Sequence, residues 1–592
     1  MKDLTKALIF TLITLITMTA CQDAHEYESL EDYPVYEGED LGISYSPEST
    51  HFRLWSPAAQ QVRLRIYAKG DGDNLEMSYS MHRDQEGTWT YKIEGDLAGK
   101  YYTYQVYQNG VWLQEKPDIY AVAVGVNGQR SMILNLEKTN PEQWEEDKRP
   151  PLKEYTDIVI YELQIRDMTI HPSSGSSAPG KYVGLVESGT RSPKGLTTGL
   201  DHLKELGVTH VHLLPTFDHR SIDETRLDEA QYDWGYDPLN YNVPEGSFST
   251  DPYDGAVRIR EFKEMVQTFH QNGIRVILDV VYNHTGQTED SNFNQLVPRY
   301  YYRQNEAGEF SDASACGNET ASERAMMRKY ILESVKYWVE EYHLDGFRFD
   351  LMGIHDIETM NAVSRTVRAI DPSIFVYGEG WTAGASPLPA DQQAIKANTY
   401  KLDHIAAFSD DLRDGLKGRV FAHEQGGFVS QFPGTKESIK FGIVASTQHP
   451  QIDYNAVNYS DSAWAKKPSQ TISYVSCHDN HTLWDKLKIS RPDATEEERI
   501  KMQKLALTIV LTSQGVPFLH AGADFLRTKQ GVENSFESPD EINQIDWERK
   551  EKYEHVFKYV KGLIALRKAH PAFRMTDTQQ IQQHLEFLDH PG

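Results

Sequence analysis

The chain is poor in cysteine: Cys21, Cys316 and Cys477 are the only three in 592 residues. So few thiols, so widely spaced, make neither a disulfide framework nor a zinc cage. It is also short of positive charge. Lys and Arg number 60 against 87 Asp and Glu, for a net charge of −27. A surface this acidic repels phosphate backbones and argues against a nucleic acid partner. After the N-terminal segment no apolar run approaches the roughly eighteen residues that a membrane-crossing helix needs. There is no internal repeat or low-complexity tract, and no Gly-rich phosphate loop follows the first strand of the main domain. What is present is a globular balance, 39% hydrophobic and 25% charged, enough to bury a core and too apolar for global disorder. The length implies two to four domains. Tyrosine (33) and tryptophan (10) are plentiful, but composition alone assigns them to core and surface filling.

The N-terminus reads as an address. Lys2 and Lys6 precede an apolar run, ALIFTLITLITM (7–18), too short to span a bilayer comfortably; small residues Thr19 and Ala20 then lead to Cys21. With cysteine at the cleavage point, residues 1–20 resemble a bacterial lipoprotein signal. The resemblance implies that Cys21 is lipidated and that the protein is exported and anchored by lipid on the periplasmic or cell-surface side. The plainer alternative is a cleaved signal with an incidental cysteine. Residues 21–40 are polar and acidic and are expected to form a tether.

Two patterns follow. Over 41–137, short alternating runs such as HFRLWSP (51–57), QVRLRIYA (61–68) and KYYTYQVY (100–107) are separated by turn clusters such as KGDGDN (69–74), which predicts an all-β sandwich. A polar, proline-bearing linker occupies 138–156. From 157 to 575 short apolar strands alternate with amphipathic helices. Strands are expected at DIVIYEL (157–163), VTHVHLLP (208–215), IRVILDVV (274–281), DGFRFDLM (345–352), SIFVYGEG (373–380), LDHIAAFSD (402–410), TISYVS (471–476) and VPFLHAG (516–522). Eight such βα units predict a closed (β/α)8 TIM barrel, of class α/β, over a doubly wound open sheet.

A barrel of this kind carries its chemistry where strands end. Those ends hold Asp279, Asn283 and His284; Arg348 and Asp350; Glu379 and Trp381; and His478, Asp479 and Asn480. Any one Asp after a strand is more often a helix cap, and any one His a structural residue. Four such clusters in one barrel are different, because gathering carboxylates in one cavity costs stability through repulsion. Arg348, two positions before Asp350, points to the same side of its strand and can hold it ionised. Paired carboxylates with Arg and His, and no metal cage, suit glycoside hydrolysis, in which one carboxylate attacks the anomeric carbon and a second, protonated, serves the leaving oxygen.

The clusters DVVYNH, GFRFDLMG, GEGW and VSCHDN, in that order, resemble the four signature regions of the α-amylase superfamily, glycoside hydrolase family 13. YDWGYDP (232–238) resembles the YNWGYDP signature of type I pullulanases, the stretch 240–266 continues the likeness, and the β-rich segment resembles the family 48 starch-binding module. The resemblance spans about 40–575. It implies Asp350 as nucleophile, Glu379 as general acid/base and Asp479 as transition-state stabiliser. His284, Arg348 and His478 would surround the sugar at the cleavage position, Tyr236 would stack on it, and Trp381 would line the adjoining subsite. Trp234, Asp237 and Asn480 are further substrate-binding candidates, while Asp279 and Asn283 would brace the loop from behind. No organic cofactor is implied; a structural calcium is compatible with the superfamily, but its ligands cannot be assigned. The partner implied is an α-glucan.

Two departures stand out. Position 233 is Asp where the signature has Asn, placing a negative charge that either raises the acid/base pKa or pairs with a neighbour. The family normally carries a C-terminal β-sandwich after the barrel; 576–592 is expected to be the start of one, visible at QQHLEFL (582–588), in a truncated chain, the alternative being that the domain is absent. The expected activity is retaining, endo-acting cleavage of α-1,6 branches in pullulan, amylopectin or related α-glucans. The alternatives are an α-1,4-acting amylase or neopullulanase on the same fold and a glycan-binding lipoprotein without catalysis.

Overall fold

The computed structural model describes residues 27–588; the signal segment and Cys21 lie outside them. No helix among the described residues is long and apolar enough to cross a membrane.

Two antiparallel sheets face each other at the N-terminal end. One carries Gly42–Tyr45, Ser49–Trp55, Thr88–Glu94 and His82–Arg83, in that spatial order; the other carries Leu75–Ser80, Gln61–Tyr67, Tyr101–Gln108 and Val111–Trp112, with Ser131–Met132 paired to Tyr101–Gln108. Alternation sets the faces: Val62, Leu64 and Ile66 are buried while Arg63 and Arg65 point outward. The expected sandwich is therefore present.

The expected tether is not free. Tyr36 is 3% exposed, the Trp55 indole donates to the Pro34 carbonyl at 3.1 Å, and Tyr33 stacks on Tyr300 with centroids 5.6 Å apart. The acidic count of this segment hid two aromatic anchors that fill a seam between module and barrel. The linker is docked as well. Trp144 stacks on His343 at 4.1 Å, and the Asp147 carboxylate receives His270 at 2.7 Å and His343 at 2.9 Å.

All eight predicted barrel strands form, at Ile160–Leu163, His210–Leu213, Arg275–Val280, Gly346–Phe349, Phe375–Gly378, Ile405–Phe408, Thr471–Ser473 and Val516–His520. They pair in parallel in chain order, and the eighth closes on the first. Each residue of these strands is buried, which is why they read as continuous apolar runs rather than alternating ones. The intervening helices include Gly199–Leu206, stopped by Gly207 in the left-handed conformation (φ 87°), Gly255–Gln271, Ala325–Glu341 and Glu554–Ala569.

Module and barrel are tied by half-buried polar contacts. Asn127 donates its backbone N–H to Glu224 at 2.7 Å and its amide to Asp223 at 2.9 Å, and accepts the Glu224 N–H at 2.7 Å. Glu224, Asp218 and Glu245 bring carboxylate oxygens within 4.8 Å of one another. They do not fit calcium, because the fully buried Arg258 guanidinium already sits among them, 2.8 Å from Glu224 and 3.1 Å from Asp218.

At the C-terminus the expected strand start is corrected. Thr578–His584 is a helix. Phe587 then exchanges two 2.9 Å hydrogen bonds with the Gln451 side chain, without a strand partner. The alternating apolar positions Leu585 and Phe587 belong to this docked end, not to a β-sheet.

Candidate active site

The fourth strand ends in Arg348-Phe349-Asp350. Arg348 and Asp350 point into the barrel mouth, where Arg348 Nη1 lies 2.8 Å from Asp350 and 2.9 Å from Asp279. Arg348 Nη2 lies 2.8 Å from Glu379, the residue after the fifth strand. One guanidinium thus bridges Asp350 and Glu379 and gathers the two carboxyl groups at one place in the mouth. The chain turns sharply after Asp350. Leu351 sits at φ 38°, ψ 50°, a left-handed conformation that a branched side chain adopts only at a cost of about 1–3 kcal/mol. That turn aims the Leu351 N–H at Glu379, 3.0 Å away. Gly353 completes it, since a Cβ there would meet the Trp381 carbonyl at 2.5 Å.

Asp479, after the seventh strand, forms the third corner. Its side chain is 46% exposed, and its carboxylate lies 3.6 Å from His478 Nε2. Arg348, Glu379, Trp381, Asp479 and Asn480 line one open cavity of about 960 Å³, together with Phe408, Arg413 and Phe421. The three expected carboxylates do converge.

The environment separates their roles. Burial, reinforced by Asp350 and Asp479 and only partly offset by Arg348, pushes the Glu379 carboxyl up to about 7. Burial raises Asp350 as well, but Asn283 donates to its carboxylate at 2.8 Å in addition to Arg348, so the proton of this coupled pair belongs on Glu379. Burial also opposes the charge on His478, yet Asp479 and Glu162 outweigh it and carry the imidazole up to about 9. The buried His284 is shifted the other way, below its ordinary value. Its Nε2 lies 2.9 Å from the Tyr236 carbonyl and its Nδ1 2.5 Å from Asn283.

Tyr236 stacks on His478 with centroids 5.2 Å apart and donates its hydroxyl to Asp279 at 2.8 Å. Asn480, at φ 59°, donates to Glu533 at 2.7 Å and borders the cavity.

Two further expected substrate residues sit beside these groups. Trp234 is 4% exposed and packs edge-on against His478 at 4.8 Å, with the Lys529 ammonium over its ring at 4.6 Å. Asp237 accepts from the Ser221 hydroxyl, lies 3.7 Å from His219 and acts on His284. Both belong to the same loop as Tyr236. Asp279 and Asn283 brace more than the loop: Asp279 accepts from Tyr236 of the loop and also from Arg348 and His212, and Asn283 donates to Asp350. Asp233 is answered too. Burial and then Asp237 push its carboxyl up to about 6, and its partners are Gly235 N–H and His219, not Glu379. Both remaining cysteines, Cys316 and Cys477, are free thiols. Sequence reading missed Glu162, whose 1% exposed carboxylate holds His478 Nδ1 at 2.7 Å.

Comparison with known proteins agrees with this arrangement. Residues 181–310 match the model of the alpha amylase catalytic domain, and 40–121 match carbohydrate-binding module 48, the isoamylase N-terminal domain. The chain is 41% identical to a pullulanase of Bacillus subtilis, over 95% of this chain and 75% of that one. It is 30% identical to chloroplastic pullulanase 1 of Arabidopsis thaliana, over 94% and 69%. Among solved structures, the pullulanase of Paenibacillus barengoltzii in complex with maltohexaose and α-cyclodextrin superimposes with a TM-score of 0.92 at 50% identity, covering 95% of this chain and 86% of that one.

Proposed function

The chain belongs to the pullulanases, debranching glycoside hydrolases of the α-amylase family, and from that premise we propose that it is endo-acting and cuts α-1,6-glucosidic linkages in pullulan, amylopectin and related α-glucans with retention of configuration. The observation that carries this reading is the single guanidinium joining Asp350 to Glu379 at the barrel mouth.

The chemistry follows from the site. Glu379, protonated near neutral pH, gives its proton to the glycosidic oxygen as the bond from that oxygen to the anomeric carbon breaks. Asp350 supplies the electron pair of the new bond to that carbon. Glu379, now ionised, removes a proton from water, whose oxygen displaces Asp350 and restores the configuration. Asp479, flanked by protonated His478, receives the ring hydroxyls as positive charge builds on the sugar. Two carboxylates suffice for these steps, and nothing in them calls for an organic cofactor.

Product analysis on pullulan tests the linkage. Cleavage at α-1,6 bonds releases maltotriose; panose or isopanose as the product would replace this reading with α-1,4 cleavage.

We infer also that the protein is exported and lipid-anchored through Cys21, a reading supported by the charged, apolar and small-residue order of 1–21. Mass spectrometry of the membrane fraction is expected to find a diacylated N-terminal cysteine. An unmodified mature N-terminus elsewhere, with the enzyme in the soluble fraction, would overturn it.

A further inference from the structure

Glu162 takes no part in the steps above, yet it is a carboxylate in the wall of the catalytic cavity. It lies on the first barrel strand, in register with His212 of the second strand and His520 of the eighth. Its neighbour at alternate spacing, Ile160, packs in the barrel interior with Phe375, Tyr377 and Phe518, so Glu162 points inward at the same face. Burying an ionisable group there costs several kcal/mol unless it is partnered. Its partner is His478: Oε1 lies 2.7 Å from Nδ1, while Oε2 is buried without a hydrogen bond. Fixing Nδ1 leaves Nε2 on the side of Asp479, 3.6 Å away.

We propose that Glu162 is a positioning residue: it orients the His478 ring and keeps it doubly protonated, so that Nε2–H is a charged donor for the sugar at the cleavage position. This rests on the hydrolytic reading above. At 1% exposure Glu162 acts through the imidazole, as carboxylates do behind many functional histidines. The other charges around His478 do not substitute for it. Asp479 also favours the imidazolium, but half its side chain is open to solvent and it must turn to substrate. Arg348 disfavours the imidazolium, as do Lys529, which donates to the His478 carbonyl at 2.8 Å, and Arg527 beyond it. His520 is neutral, its value driven well below the ordinary by burial and by Arg527 and Lys529. Asp279 also interacts with His478, but it is already shared by Arg348, His212 and Tyr236.

A double-substitution cycle tests this. Glu162→Gln is expected to lower kcat/KM on pullulan by about 10- to 100-fold, as for loss of one hydrogen bond to a charged group. In a His478→Asn background the same substitution is expected to change it less than about twofold, because the residue through which it acts is gone. Equal losses in both backgrounds, or no loss in either, would overturn the proposal. The imidazole resonances of the wild-type enzyme give a second arm that needs no variant to fold. His478 is expected to stay protonated at pH 8, and titration below pH 7 would overturn the proposal whatever the variants do. Absence of maltotriose from wild-type digests would sink the functional reading alone, since the imidazole titration is independent of turnover.

Discussion

The backbone N–H of Leu351 points at the carboxylate of Glu379 across 3.0 Å. Leu351 directly follows Asp350, the proposed nucleophile, so the turn that presents Asp350 also anchors Glu379, the proposed acid. Two groups contributed by different strands are thereby held at a fixed relation by backbone, not by side-chain packing alone.

Glu379 carries the proton that the first step needs, and its value of about 7 sets where that proton is lost. The alkaline limb of kcat/KM against pH is expected near 7, with activity falling above it. Glu379→Gln is expected to lower kcat on pullulan by about 10²–10⁴-fold. It should lose far less of the first step with an aryl glucoside whose leaving group needs no protonation, which burst kinetics would read.

Asp350→Asn removes the attacking oxygen pair while keeping shape and the contact to Asn283. Hydrolysis is expected to fall by at least about 10³-fold while circular dichroism and the melting curve stay native. Unchanged turnover would reject Asp350 as the nucleophile.

Asp233 is buried enough that its folded value rises to about 6. A carboxyl so raised contributes stability that is present below its unfolded value and is lost as pH climbs through 6. Asp233→Asn removes that loss. The variant is expected to gain on wild type between about pH 4 and 7 and to be more stable at pH 8 by about 3 kcal/mol in denaturant titrations. The alkaline limb of kcat/KM is expected not to move, because the charges acting on Glu379 are Arg348, Asp350 and Asp479.

Glu224 holds Asn127 of the β-module and Arg258 of the barrel at once. Glu224→Ala leaves a buried guanidinium short of a partner and is expected to cost about 3–5 kcal/mol. Calorimetry is expected to show one cooperative transition in the wild type and an earlier, split transition in the variant.

Much of this was legible in the chain because a parallel barrel turns sequence order into geometry. Asp350, Glu379 and Asp479 each follow a short apolar run, and eight such runs leave strand ends on one rim. The part that was not legible concerns directions within elements. Glu162 lies inside DIVIYEL, where an acidic residue in a fully buried strand gains a meaning only once barrel closure shows which neighbour it meets. Trp234, Tyr236 and Asp237 share one irregular loop, and its residue types do not tell that Tyr236 stacks on His478 while Trp234 meets it edge-on. Tyr33 and Tyr36 sit in a stretch whose charge suggested solvent, and their docking partners lie about 270 or more residues further on, at Tyr300 and Met326.

Arg348 has a consequence for anyone wishing to shift the working pH of this enzyme. One guanidinium serves the proposed nucleophile, the proposed proton donor and Asp279 together, so any replacement there perturbs attack and protonation in the same stroke. Adjustment of the acid apart from the nucleophile has to come from groups that act on Glu379 without sharing Arg348: the Leu351 N–H and the more distant Asp479 charge.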